Sequence, residues 1–464
     1  MTNITESQLI DNLWTTVGQP ALEKFITIPN TTPCIYKDAE VDAKLTMYAM
    51  DHAVDFLRGL DVPNMTINVL ELENRSPLLL VKILGKKPTT DEYLLYMHLD
   101  KQPPLTESWS EGLGPYTPVV RENKLYGRGS SDDGYAIFAL GVVLKSLIDN
   151  GKQYCSLTIL AECSEESGSC DLSTYLETYS GMLGTPTHIF ILDSGANDSD
   201  TKNLYITTSL RGCVMGYLNI KILTQAVHSG SAGGIIPNPF TVLTNQLTKF
   251  NESNCLYRPP SDQMVEKMQG ASTHFGDDYR YQFPIINGLD LKSCGDNYEC
   301  FCKNVWNPTC DIVGIDNFPT AQEAGNIISP EIRVKFSTRI PPNLDNKEAE
   351  EIITRQLESP DCYNSNFKVS DLHSCSGWVN NSNDTMFDEK MNKAIDGLYE
   401  SIIYVNVGAS IPTNSYVCKM FPNANIITTG VITKDSNIHS HDENLDLDLV
   451  KRFTTFLYRI FYLD

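Results

Sequence analysis

The hydrophobic positions of this 464-residue chain change their period along its length. Between Glu40 and Leu60 they recur every three to four residues, the spacing of a helix with one buried face. Leu78 to Leu84 and Tyr93 to His98 are short, near-continuous apolar runs, which predict strands buried on both faces of a sheet. Tyr135 to Ile148 predicts a helix, and Ser156 to Ala161 and His188 to Leu192 predict further strands. This alternation is that of an α/β fold, a central mixed sheet flanked by helices.

From about Leu210 the pattern is different. Val214 to Leu223 and Glu331 to Ile340 alternate, as half-buried strands do. Between them lie a Gly/Pro-rich loop (Ser229 to Pro239), a helix, and a Cys-containing stretch from Gly288 to Asp316 that is expected to be irregular. Asn346 to Leu357 is a strongly amphipathic helix. This middle part reads as a smaller α+β domain inserted into the first. Helices expected over Glu389 to Tyr404 and Leu447 to Tyr462 return the chain to the first domain. The expected division is residues 1–206 and 388–464 for the larger domain and 207–387 for the insertion.

Composition narrows the partners. Hydrophobic content of 41% and charged content of 20% are those of a globular protein. A net charge of −22 repels nucleic acid and anionic membranes. Met1 to Pro20 holds no apolar core of a signal peptide, and the longest apolar stretch, Ala136 to Leu144, is too short to span a bilayer. Thirteen cysteines, an odd number without a regular framework, point to a reducing cytoplasm. Eight Asn-X-Ser/Thr sequons, beginning at Asn3, Asn30 and Asn64, leave secretion of a processed chain as the alternative. Cys294, Cys300, Cys302 and Cys310 cluster, but they lack paired C-x2-C spacing and a nearby His, so a thiol or disulfide-bearing loop is favoured over a zinc knuckle.

The candidate chemistry sits where strands are expected to end. His98 closes an apolar strand and Asp100 follows two residues on, able to fix the tautomer of a ligating His. Asp132 lies in the Gly-flanked turn Gly127 to Gly134, ahead of the Tyr135 helix. Glu165 and Glu166 are adjacent, and on extended backbone their side chains would point apart, one to a metal and one to a substrate water. Asp193 ends the next apolar strand, where an acid is costly unless paired or metal-bound. His439 lies in a polar loop before the last helix, with Glu443 behind it. Taken singly, each motif has a bland reading: a turn, a solvated acid pair, a satisfied histidine. There is no Gly-X-Ser-X-Gly elbow for a serine nucleophile and no cue of an activated cysteine.

Together and in this order, Met97-His98-Leu99-Asp100, Gly127 to Gly134, Ser164-Glu165-Glu166-Ser167-Gly168, Ile191-Leu192-Asp193-Ser194 and Asn437-Ile438-His439-Ser440 resemble the co-catalytic zinc peptidase family of carnosinases, dipeptidases, aminoacylases and deacylases. The resemblance implies two divalent metal ions, zinc with manganese as the alternative. It gives His98, Asp132 and Asp193 to one ion and Asp132, Glu166 and His439 to the other, with Asp132 bridging through a cis Asp132-Asp133 peptide. It makes Glu165 the general base. Where the family often has Lys after the Asp-Asp pair, this chain has Gly134.

The same resemblance implies that the larger domain is catalytic and that the insertion is a lid that dimerises the protein. His228, in Val227-His228-Ser229-Gly230, corresponds to a histidine that contacts the developing oxyanion across the dimer. Arg339 corresponds to an arginine that clamps the substrate carboxylate, and Asn326 is a candidate second polar contact. Ser410, in Gly408-Ala409-Ser410-Ile411-Pro412, lies in a substrate loop where the family has Gly at position 409. Asp at position 193 accompanies enzymes acting on peptides with a free amino end, so a dipeptide or short peptide is the expected substrate. An N-acyl-amino-acid amidohydrolase, a non-catalytic metal- or peptide-binding protein and a purely structural dimer are the competing readings. His52, His188, His274, His373 and His441 are expected not to be ligands.

Overall fold

The structure is a computed structural model that describes residues 5–33, 39–85, 91–195, 199, 201–276, 279, 285–286, 289, 295–316, 318–380 and 384–463. The chain forms two compact units: Met1–Thr207 with Asn381–Tyr404 and Tyr416–Asp464, and Thr208–Asn380 with Val405–Ser415.

The first unit is built on a mixed sheet. Its strands are β1 (Met65–Leu70), β2 (Leu78–Ile83), β3 (Glu92–His98), β4 (Ser156–Glu162), β5 (His188–Ile191), β6 (Leu204–Leu210) and β7 (Asn425–Thr428). They lie in the order β1-β2-β4-β3-β5-β7-β6. The four inner strands β4, β3, β5 and β7 are mutually parallel, and β1, β2 and β6 run antiparallel to their neighbours. Parallel strands buried on both faces need continuous apolar sequence, which is why Leu94 to Met97 and Ile189 to Ile191 carry no polar residue. Helices α1 (Ala39–Arg58), α2 (Tyr135–Asp149) and α3 (Leu447–Phe461) contribute to the same core. Every residue of α2 from Tyr135 to Leu144 is buried, as expected of a helix apolar on all sides. Each such large side chain contributes about 1.5–3 kcal/mol on leaving water.

The second unit holds a four-stranded antiparallel sheet in the order Thr309–Asp316, Glu331–Ile340, Gly212–Lys221, Asn366–Cys375. Glu331–Ile340 buries alternate residues. Its apolar face packs with the helices Pro239–Glu252 and Asn346–Leu357 through Val242, Leu243, Phe250, Ile352 and Ile353.

Two expectations are corrected. The helix expected over Glu389 to Tyr404 runs instead over Thr385–Ile395 and stops before Gly397, which has φ +67°. The β-branched run Ile402–Val407 is a strand. The stretch from Gly288 to Asp316 is not irregular where it is described. Asp296 caps the helix Asn297–Val305 by accepting from the Glu299 amide, and Thr309–Asp316 joins the sheet. Cys294 lies outside the described residues. Among the described residues no helix is long and apolar enough to cross a membrane.

Candidate metal centre

In sheets of this kind the carboxyl ends of parallel strands carry the chemistry. His98 is the last residue of β3 and pairs in register with Glu162, the last of β4, while Asp193 follows β5 by two residues. His98 is fully buried, and its Nε2 lies 3.2 Å from Asp132 Oδ1 and 3.9 Å from Asp193 Oδ1. The other oxygen of Asp132 lies 3.0 Å from His439 Nε2, and that nitrogen is 3.1 Å from Glu166 Oε2. One carboxylate therefore faces two histidines. The Asp132-Asp133 peptide is cis.

Two groups of donors can each converge on one cation: His98, Asp132 and Glu166, and His98, Glu165 and Asp193, with ligand atoms within 4.8 Å of one another. Glu165 and Glu166 sit on a single 3-10 turn, Glu165–Ser167, and not on extended backbone. By distance both can reach a cation, so proximity does not separate a base from a ligand here. The site fits divalent metal for a further reason. Glu166 Oε1 and Asp133 Oδ1 are buried without a hydrogen-bond partner among the described residues, and buried acceptors of this kind demand a cation or donor.

The electrostatics make the same demand. Burial, with Glu165 beside it, pushes the Asp193 carboxyl well above the usual range. Burial, with Asp132 beside it, pushes Glu166 up to about 7. Burial likewise raises Glu165 well above its ordinary value, with Glu166, Glu162 and Asp100 adding repulsion. Asp132 is held well below, because His439 and His98 outweigh burial. Against burial, Asp100 and Asp132 hold His98 well above its ordinary value. A surplus of carboxylates around two imidazoles is stabilised by bound cations.

Further residues support the site, and beyond Asp100 and Glu443 they carry no cue in the sequence. Asp100 does more than face His98, whose Nδ1 lies 3.5 Å from its Oδ1. Its two oxygens accept from the Glu165 and Glu166 amides at 3.2 and 3.0 Å, which orients the Glu165 turn. Gln102 donates to Glu166 at 2.5 Å. Glu443 accepts from the amides of Gly129, Ser131 and Asp132 and pairs at 2.8 Å with Arg128, both side chains 1% exposed. The Gly127 to Gly134 turn is thus folded around the Glu443 carboxylate. A Cβ at Gly134 would lie 2.3 Å from Gly129 O, which accounts for glycine where the family often has lysine. Glu162 is buried beneath the Glu165 turn, raised to about 7 by burial, and holds Tyr96 Oη at 2.5 Å. Lys101 is fully buried and donates to the Phe25 and Ile28 carbonyls at 2.8 and 2.7 Å. Asp100 and Glu443 had a sequence cue, the first beside His98 and the second in the His439 motif.

The remaining site residues belong to the second unit. His228 ends a two-residue strand paired with Ile327–Ile328, is exposed, and accepts the Gly230 amide at Nδ1 at 3.1 Å. The Asn326 carbonyl accepts from the Ser229 amide at 2.9 Å, beside His228, and its residue is exposed. Arg339 donates to Ser410 Oγ at 2.7 Å. Of the described histidines, His98 is the one in both donor groups, while His439 reaches the cluster through its contacts with Asp132 and Glu166.

A sheet whose parallel strand ends gather histidine and carboxylate around an acidic cluster defines a metal-dependent α/β hydrolase. Residues 94–462 match the profile of peptidase family M20/M25/M40, and the chain belongs to that family; it is a metallopeptidase. It is 26% identical over 368 residues to the cysteinylglycine-S-conjugate dipeptidase of Corynebacterium striatum, covering 78% of each chain. It is 24% identical over 450 residues to the Cys-Gly metallodipeptidase DUG1 of Candida albicans, covering 92% of this chain and 90% of that one. In fold it is similar to the crystal structure of human carnosine dipeptidase 1, with a TM-score of 0.75, 20% identity and 98% of both chains covered.

Proposed function

We propose that this chain is a dipeptidase that uses two divalent metal ions, zinc or manganese, to hydrolyse the amide bond of dipeptides or short peptides with a free amino end. The observation that carries the reading is Asp132, with one oxygen toward His98 and the other toward His439, the arrangement a bridging carboxylate needs. Asp193 completes one ligand set and Glu166 the other. When bound, the metal pair acidifies a water and polarises the substrate carbonyl.

The chain's own residues do the rest. Glu165 takes the proton of the attacking water and returns it to the leaving amine. Asp100 fixes the tautomer of His98 and, through two backbone amides, the aim of Glu165. His228 donates to the developing oxyanion, and Arg339 and Ser410 receive the substrate carboxylate, with Asn326 as a further polar contact. In this reading residues 1–206 and 388–464 work as the catalytic domain. Residues 207–387 work as a lid through which the protein forms a homodimer, and the compartment is a reducing cytoplasm.

The relatives named as dipeptidases support the peptidase reading over the acylase one. Amine release from a panel of dipeptides and their N-acetylated counterparts, with and without chelator, tests it. Chelator-sensitive cleavage of the free-amino set is expected. Preference for the acetylated set would make the protein an amidohydrolase of N-acyl amino acids.

A further inference from the structure

Arg211 immediately precedes the inner strand Gly212–Lys221 of the second unit and is 6% exposed. Its Nε donates to the Gly408 carbonyl at 2.8 Å and its Nη1 to the Asn307 carbonyl at 3.0 Å. A guanidinium brings five donors, and these bonds use two of them. Among the described residues no carboxylate lies within ion-pair distance of Arg211 or of Arg339. Both arginines grip the same short loop. Arg211 holds Gly408, and Arg339, across the register from Cys213, holds Ser410 two residues on. A Cβ at Gly408 would stand 2.5 Å from the Asn304 carbonyl oxygen and 3.0 Å from Arg211 Nη2, so glycine lets the loop lie close to both.

With no acid in ion-pair contact, the two cations keep positive charge that an anion would balance. Burial and then the Arg339 charge pull the Arg211 guanidinium down to about 10, with Tyr279 and Asp311 offsetting part of this, and it stays charged at neutral pH. The carbonyl bonds alone do not neutralise it.

We propose that Arg211 is a positioning residue for substrate carboxylate: it anchors the Gly408–Ser410 loop and adds a second positive charge beside Arg339. Together the pair makes the second unit selective for peptides with a free carboxyl end. The inference rests on the dipeptidase reading for its substrate, but its geometry lies wholly within the second unit.

The test compares alanylalanine with its C-terminal amide on the metal-loaded wild type, R211Q and R211K. Wild type is expected to prefer the free acid in kcat/KM. R211Q should lose roughly 10- to 100-fold on the acid, the range for a lost charge-assisted hydrogen bond, mostly through KM, with little change on the amide. R211K should restore part of that preference. Equal losses on acid and amide, unrepaired by lysine, would reduce Arg211 to a structural pin and overturn the inference. Thermal shift with the same two probes separates this from failure of the dipeptidase reading. If neither probe is hydrolysed, stabilisation of wild type by the acid alone, absent in R211Q, still upholds the carboxylate site. The same shift with both probes, or with neither, overturns it.

Discussion

Glu165 and Glu166 were legible as an adjacent acidic pair, but not as members of one tight turn. The turn is oriented by Asp100, 65 residues before Glu165, which takes the amides of both. Glu165→Gln keeps the shape of the side chain and removes its basicity. It should retain metal while kcat falls roughly 10²–10⁴-fold, the usual contribution of a general base. Metal analysis beside steady-state kinetics checks both halves, and full turnover would end the mechanism. His228→Ala should leave metal content intact and lower kcat about 10²–10³-fold, the loss expected on removing an oxyanion donor. Unchanged turnover would remove it from the site.

At the scale of elements, the turn between Gly127 and Gly134 is the part that sequence described least well. Its motif was visible, but its cause was not, since the turn is folded by Glu443 from the far end of the chain. Arg128→Met would leave Glu443 buried with backbone amides and the Ser131 hydroxyl but no cation paired to it. Removing one partner of a buried ion pair costs about 3–5 kcal/mol, so denaturant unfolding should show a loss of that order. Metal affinity should fall with it, because Asp132 hangs on the same turn. The boundary of the helix expected over Glu389 to Tyr404 was misread for a related reason. Apolar residues continue past Ile395, but in Ile402–Val407 they are β-branched and serve a strand.

For the whole molecule, the acid cluster makes stability depend on metal. Chelation should lower Tm, and restoring a cation at about a thousand times its Kd should return about 4 kcal/mol. A calorimetric scan with and without chelator measures this, and identical scans would mean that no tightly bound cation supports the fold. A second whole-molecule property is acid sensitivity. His188 is buried on Tyr93 and Phe387, and burial lowers its pKa despite Asp384 at 3.4 Å. The unfolded chain therefore takes up this proton first as pH falls. The contribution of His188 is complete above about 6.5, the ordinary histidine value, and is lost as pH drops through its lower folded value. Denaturation midpoints between pH 7.5 and 5 should fall more steeply for wild type than for His188→Gln, and parallel curves would refute the assignment.

The sequence by itself determined the α/β class, the buried strands and the clustering of acids and imidazoles at strand ends. These are written locally, in apolar runs of strand length and in acids and imidazoles placed at their ends. Tertiary structure alone decided which acids share a turn, which carboxylate faces two histidines, and that Glu443, Arg128, Glu162 and Lys101 support the site from buried positions. Each of those depends on contacts between segments distant in the chain. A charged residue bears no local mark of whether burial and a partner await it in the fold.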